Sequence, residues 1–167
     1  SEPEIDFSGV RIRILNPHTE NHAYRVRFSA DDAADSGRMT KTNDRSLVIK
    51  LSFGKRSFLL PADISSAVEN RLVISGFDLK SDVLIVPHHG SRLSSSLSFL
   101  EEVAPKIAIV SCGTKNVSGF PHLDTLRRYM QTGVKLYRTD QDGAVSLTTD
   151  GKDIIVDRFV TGHVNGK

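Results

Sequence analysis

Four aliphatic residues in a row, Val83–Val86, are held between Asp82 and Pro87 and followed at once by His88, His89, Gly90 and Ser91. An unbroken apolar block of that length fits a strand buried on both faces, as in the middle of a parallel sheet. The strand cannot continue through Pro87, so the two imidazoles stand at its carboxyl end. Open α/β sheets keep their ligands at that edge. A second strand-to-acid junction lies upstream in Ser57–Ile64, SFLLPADI, and delivers Asp63. A carboxylate and an imidazole at the ends of neighbouring buried strands are a donor pair suited to a divalent cation, which makes Asp63 and His89 candidate metal ligands.

The rest of the chain is read around this pair. Residues 1–8 have the look of a ragged end. Val10–Leu15 alternates as a half-exposed strand does and stops at Asn16-Pro17, and Tyr24–Phe28 alternates again as an edge strand. Polar residues 29–43 lack periodicity and read as a mobile loop. Ser46–Phe53 sets Leu47, Ile49, Leu51 and Phe53 on one face, and Gly54-Lys55 has the form of a two-residue hairpin into Arg56–Pro61. Ser66 and Glu69 make a capping-box pattern for a helix running to about Ser75, with Ile64, Val68, Leu72 and Ala67 inward and Gly76 ending it. Ser94–Ser96 offer caps for a helix through Val103 with Leu97, Leu100 and Val103 as its stripe. Ile107–Val110 is a further buried strand. His122–Gln131 is a helix with Leu123, Leu126 and Met130 toward the core and Gly133 as its stop. Val134–Tyr137, Ala144–Thr148 and Ile154–Val156 read as closing strands, with turns at Asp142-Gly143 and Asp150-Gly151. Antiparallel hairpins followed by β-α-β-α-β predict an α/β protein, a mixed sheet with helices on one side.

A chain of 167 residues has room for one core and one domain, and a net charge of +2 does not by itself argue for nucleic acid. One cysteine, Cys112, excludes an internal disulfide and a thiolate zinc cluster, and is best read as a small buried hydrophobe. No apolar run approaches the roughly 20 residues needed to span a bilayer, and the acidic start SEPEIDF is no signal peptide.

In combination, NDRSLVIKLSFGKRSFLLPADI, DVLIVPHHGSRLSSSLSFLEEVAPKIAIVSCG and YRTDQDGAVSLTTDG resemble the C-terminal part of the metallo-β-lactamase-fold domain of the ComEC competence family. The likeness runs from about residue 10 to 155. It implies part of an αβ/βα sandwich with a two-metal site, zinc or manganese, in which Asp63 bridges both ions and His89 is the last imidazole ligand of the second. His88 would then be the catalytic residue that meets the phosphate or the departing group. The implied activity is that of a nuclease or phosphodiesterase acting on DNA or another phosphodiester. The implied companions are the missing N-terminal half of the fold or a membrane channel domain of the parent. The piece itself is expected to be soluble and the parent a bacterial membrane protein carrying this domain outside the cytoplasm.

Three departures accompany the likeness. The family's HxHxDH-type cluster is absent, and His18 and His22 have neither its spacing nor its aspartate. Pro61-Ala62-Asp63 stands where Thr-Gly-Asp is usual, and Phe120 stands where the family's Asn-x-Tyr-Gly-His-Pro loop has histidine.

Each candidate also has a plainer reading. Asp63 could be a helix N-terminal acid held by the helix dipole, His89 a core histidine donating to a carbonyl, and His88 a packing residue. Ser91, Asn116 and His122 complete the candidate substrate-binding set, but a turn cap, a loop residue and a helix start are their structural alternatives. The Arg127-Arg128 pair and Lys135 read as a solvated face. Two functions therefore stand beside each other: a metal-dependent hydrolase whose remaining ligands lie elsewhere, and a catalytically degenerate scaffold or binding module of the same fold. One domain over 1–167 is expected, with 1–9 and 158–167 as flexible ends.

Overall fold

The computed structural model describes residues 4–17 and 42–160. The strand expected at Tyr24–Phe28, the loop expected at 29–43 as far as residue 41, His18, His22 and the tail from 161 lie outside the described residues. A seven-stranded mixed sheet carries the fold, its strands lying side by side in sequence order from β1 to β7. β1 (Glu4–Phe7), β2 (Val10–Asn16), β3 (Val48–Phe53) and β4 (Arg56–Leu60) are antiparallel, and β5 (Val83–Ile85), β6 (Ile107–Val110) and β7 (Lys135–Arg138) continue from β4 in parallel. Three helices form the crossovers: α1 (Ser66–Ile74), α2 (Leu97–Val103) and α3 (Leu123–Thr132). α1 packs against α2, and α2 against α3. A short helix, α4 (Thr139–Asp142), leads into a separate hairpin of β8 (Ala144–Thr149) and β9 (Ile154–Phe159). The mixed α/β architecture read from the sequence is the one the chain adopts.

Strand registers sort the side chains into two faces. Val48, Leu59, Leu84, Val86, Ala108 and Val110 share one face and join Val68, Leu72, Phe99, Leu100, Val103 and Tyr129 from the helices in a single buried cluster. Fully burying a leucine or phenylalanine there contributes about 1.5–3 kcal/mol each. The other face bears Ile12, Ile14, Ile49, Leu51, Phe53, Phe58 and Leu60, all only half-buried. The β8–β9 hairpin starts beside β7, and its turn reaches the β3–β4 turn, where Lys55 N donates to Gly151 O at 2.7 Å and Gly151 lies against the Phe53 ring. The hairpin turn therefore sits at the Phe53 end of this half-buried face.

Several sequence expectations are corrected. Residues 4–7 form an edge strand, paired from Glu4↔Arg13 to Phe7↔Val10, where a ragged end was expected. The helix-packed face of β3 is that of Val48 and Lys50, and Leu47 is exposed, because both faces of this sheet are apolar and alternation alone does not say which one the helices cover. Ser66 and Glu69 make no capping box. The N-cap of α1 is Ser65, without a side-chain cap bond, and Glu69 is fully buried, its carboxylate accepting from Ser95 N (2.5 Å) and Ser96 N (2.8 Å). Ala67 is exposed. Phe99 replaces Leu97 in the buried stripe of α2, and Thr125 and Tyr129 replace Leu123 and Met130 beside Leu126 in α3. The β7–β8 connection is a helical turn rather than a tight Asp142-Gly143 turn. Arg128 is not simply solvated: its guanidinium donates to Ser94 O at 2.8 Å and to Thr125 Oγ1 at 3.0 Å.

Candidate metal-type site at the strand ends

The carboxyl ends of β4, β5 and β6 lie next to one another, and each contributes to one loop cluster. Pro61–Asp63 follows β4, a 3₁₀ turn Pro87–Gly90 follows β5, and Ser111 follows β6. His88 N donates to Ala62 O at 3.0 Å, which ties the first loop to the second. Ala62, His88 and His89 all take positive φ (51°, 48° and 54°), a region that L-residues with a Cβ enter only at a penalty. Three such residues in contacting loops mark a locally strained edge of the kind found at functional sites.

This backbone brings Asp63 and His89 together. His89 Nε2 stands 3.6 Å from Asp63 Oδ1, and the two side chains are 51% and 44% exposed. His89 Nδ1 lies 2.8 Å from the Ser111 carbonyl oxygen. A carbonyl only accepts, so Nδ1 carries the hydrogen, and in the neutral ring Nε2 presents a lone pair toward the carboxylate. At 3.6 Å the pair is too far apart for a hydrogen bond. With a neutral ring a cation between the two atoms would satisfy both, and with a protonated ring the two side chains form an ion pair. Two donors each about 2.1 Å from a tetrahedral ion stand about 3.4 Å apart, so the spacing fits one ion. A histidine fixed through its far nitrogen on a carbonyl is also the usual support for a metal-binding imidazole. Among the described residues no group of three or more His, Cys, Asp or Glu side chains converges on one point.

The other candidates fall around this pair in different roles. His88 is half-buried and its ring meets Phe120 edge-on at 5.7 Å between centroids. Ser91 is buried, and its hydroxyl oxygen accepts from Leu93 N while its carbonyl accepts from Ser94 and Thr125, so it builds the turn and does not face solvent. Asn116 closes its own loop: its amide donates to Gly113 O and Phe120 O, and its oxygen accepts from Phe120 N. His122 is the N-cap of α3, with Nδ1 accepting from Asp124 N at 3.2 Å, and its backbone N donates to Gly90 O. Cys112 is half-buried, its Sγ 3.2 Å from Asp140, and burial followed by that carboxylate raises its pKa.

Two contributors escaped the sequence reading. The Ser111 carbonyl sets the His89 tautomer, and its position directly after the strand Ile107–Val110 was the available signal. Gly90, at φ +82°, sits so close to Pro121 that a Cβ would come within 2.5 Å of the proline ring. That close approach locks the 113–122 loop against the double histidine.

The fold and this edge define a mixed α/β domain that gathers a carboxylate–imidazole pair at the carboxyl ends of its parallel strands. No family model matches the chain. It is 34% identical over 103 residues to ComE operon protein 3 of Bacillus subtilis, covering 62% of this chain and 13% of that protein. It is 38% identical over 106 residues to Competence protein ComA of Neisseria gonorrhoeae, covering 63% and 15%. It is 34% identical over 141 residues to Recombination protein 2 of Haemophilus influenzae, covering 84% and 16%. The chain is similar to these proteins with ComEC-family names, and spans less than one fifth of the length of each. Among the described residues no helix is long and apolar enough to cross a membrane.

Proposed function

We propose that this chain is part of a metallo-β-lactamase-like, metal-dependent phosphodiesterase or nuclease domain that acts on DNA within a competence protein. The observation that carries the reading is the facing pair Asp63 Oδ1 and His89 Nε2 at 3.6 Å, with the imidazole fixed from behind by Ser111. Asp63 and His89 would hold a zinc or manganese ion. When bound, such an ion neutralises charge developing on a phosphodiester and lowers the pKa of a coordinated water. His88, one residue away and presented by the same strained turn, meets the phosphate or the departing group. Two ligands hold a divalent ion weakly, so the reading assigns the remaining ligands to residues outside those described. The parent is read as a bacterial membrane protein with this domain outside the cytoplasm, where a channel domain would accompany it.

A second reading, a scaffold that has lost catalysis, is favoured by Phe120, which packs on His88 where the family motif has an imidazole. Manganese binding followed by electron paramagnetic resonance, in parallel with a nuclease assay, separates the two. The hydrolase reading expects Asp63→Ala and His89→Ala each to weaken manganese binding by tenfold or more, about 1.4 kcal/mol. Wild-type affinity in both variants would sink the metal roles, and metal binding without turnover in the full-length parent would favour the scaffold.

A further inference from the structure

The opposite edge of the sheet carries a second feature, unconnected with the strand-end pair. Beyond Val48 and Leu59, the helix-packed face turns polar at Lys50, Ser52 and Ser57. A cleft of about 380 Å³ opens there, at the amino-terminal ends of β4, β5 and β6. Six cationic side chains line it, Arg11, Lys50, Lys55, Arg56, Lys80 and Lys106, against two carboxylates, Asp78 and Asp82. By strand rise it lies roughly 20 Å from the double histidine.

Both carboxylates are already neutralised. Asp78 accepts from Lys50 Nζ at 2.8 Å and from Arg13 at 3.1 Å, and Lys50 is 3% exposed, so this cation is built into the wall. Asp82 accepts from Lys106 Nζ at 2.9 Å and from Arg56 at 3.3 Å. Arg11, Lys55 and Lys80 line the same cleft and make no ion pair with a described residue. The surplus is therefore unpaired positive charge on β2, on the β3–β4 turn and before β5. From β2 to β6 the strands span about 19 Å at 4.8 Å spacing, too wide for one phosphate group and suited to several in a row.

We propose that this cleft binds the phosphodiester backbone of a nucleic-acid strand, as a site separate from the Asp63–His89 edge. The lining holds no aromatic ring and, beside Gly54, only Ala104 as a small apolar residue. Bases therefore have nothing to stack on, and recognition is of phosphates and independent of sequence. An acidic protein partner would call for a buried aromatic or aliphatic anchor, which this cleft lacks. The assignment does not rest on the metal reading.

Fluorescence anisotropy of a labelled oligothymidylate, titrated with the whole chain at several salt concentrations, tests it. The triple variant Arg11→Ala/Lys55→Ala/Lys80→Ala is expected to bind at least about tenfold more weakly at low salt, with the log–log salt slope reduced by about 2 for three lost single-strand contacts. Arg158→Ala, which removes an exposed cation outside the cleft, is expected to keep wild-type affinity and slope. Unchanged binding in the triple variant overturns the proposal, as does a loss in Arg158→Ala as large as in the triple variant. Polyglutamate competing as well as unlabelled oligonucleotide at equal charge would overturn the nucleic-acid assignment. The three side chains are surface groups, and an unchanged thermal midpoint verifies the fold. Arg11→Glu serves as a second variant, expected to weaken binding more than Arg11→Ala.

Discussion

Replacing Glu69 by alanine removes the carboxylate that α1 lends to the start of α2. The N-cap of α2, Ser96, makes no side-chain cap bond of its own, and Glu69 instead accepts from Ser95 N and Ser96 N. Glu69 and Ser95 are fully buried and Ser96 half-buried. Losing a cap costs about 1 kcal/mol, and leaving a buried amide unsatisfied costs about 1–3 kcal/mol. The two contributions overlap, which gives an expected loss of about 3 kcal/mol. With a urea m-value near 2 kcal/mol/M, the unfolding midpoint falls by about 1.5 M. Glu101→Ala, on the exposed side of α2, is the control and should stay within about 0.5 kcal/mol of wild type. A second readout comes from pH. Burial raises the Glu69 pKa above 4.5, against the lowering effect of the Ser96 and Ser95 bonds and of Arg128. A raised carboxyl pKa gives a contribution that is complete below the unfolded value and is lost as pH rises through the folded one. Glu69→Gln should flatten that part of the stability–pH curve. If Glu69→Ala unfolds within 0.5 kcal/mol of wild type, or Glu69→Gln keeps the full pH dependence, the interhelix cap has been misjudged.

Three further outcomes are expected. Gly90→Ala should lower stability by about 1–3 kcal/mol through its left-handed backbone and the Pro121 contact, and weaken manganese binding with it, as thermal melts and metal titration will report. Lys50→Met should raise the Asp78 pKa, which the Lys50 hydrogen bond holds low. A depressed acid stabilises above its unfolded pKa near 3.9 and loses that effect as pH falls through the folded value. The variant's stability should therefore change less on acidification below about pH 4, with the Asp78 titration followed by carboxyl-carbon NMR. Leu51→Lys on the half-open face of β3 should reduce binding of a hydrophobic dye without a change in far-ultraviolet circular dichroism, and dye binding equal to wild type would show that this face is covered.

What the sequence revealed followed from periodicity and punctuation. The run Val83–Val86 had to be a central strand, and Gly54-Lys55 and Gly133 fixed a hairpin and a helix stop. The approach of Asp63 to His89 was legible too, since both follow buried strands that turned out to be parallel neighbours. Contacts between segments distant in the chain were not legible. Glu69 matched a local cap three residues from Ser66, yet bonds to residues 26 and 27 positions away. Leu97, Leu123 and Met130 fit helical stripes as well as Phe99, Thr125 and Tyr129 do, and only packing against the neighbouring helix chooses between them. Lys50 is hidden by the same rule: a lysine in an alternating strand reads as the wet side until a distant aspartate is seen to receive it.

The left-handed conformations at Ala62, His88 and His89 also bear on how this edge would respond to selection. Glycine occupies such backbone more readily than any residue with a β-carbon. A library screened for heat resistance alone should therefore enrich glycine at 62, 88 and 89, and two of those three replacements erase an imidazole. Durability and chemistry pull against each other on adjacent residues of one turn.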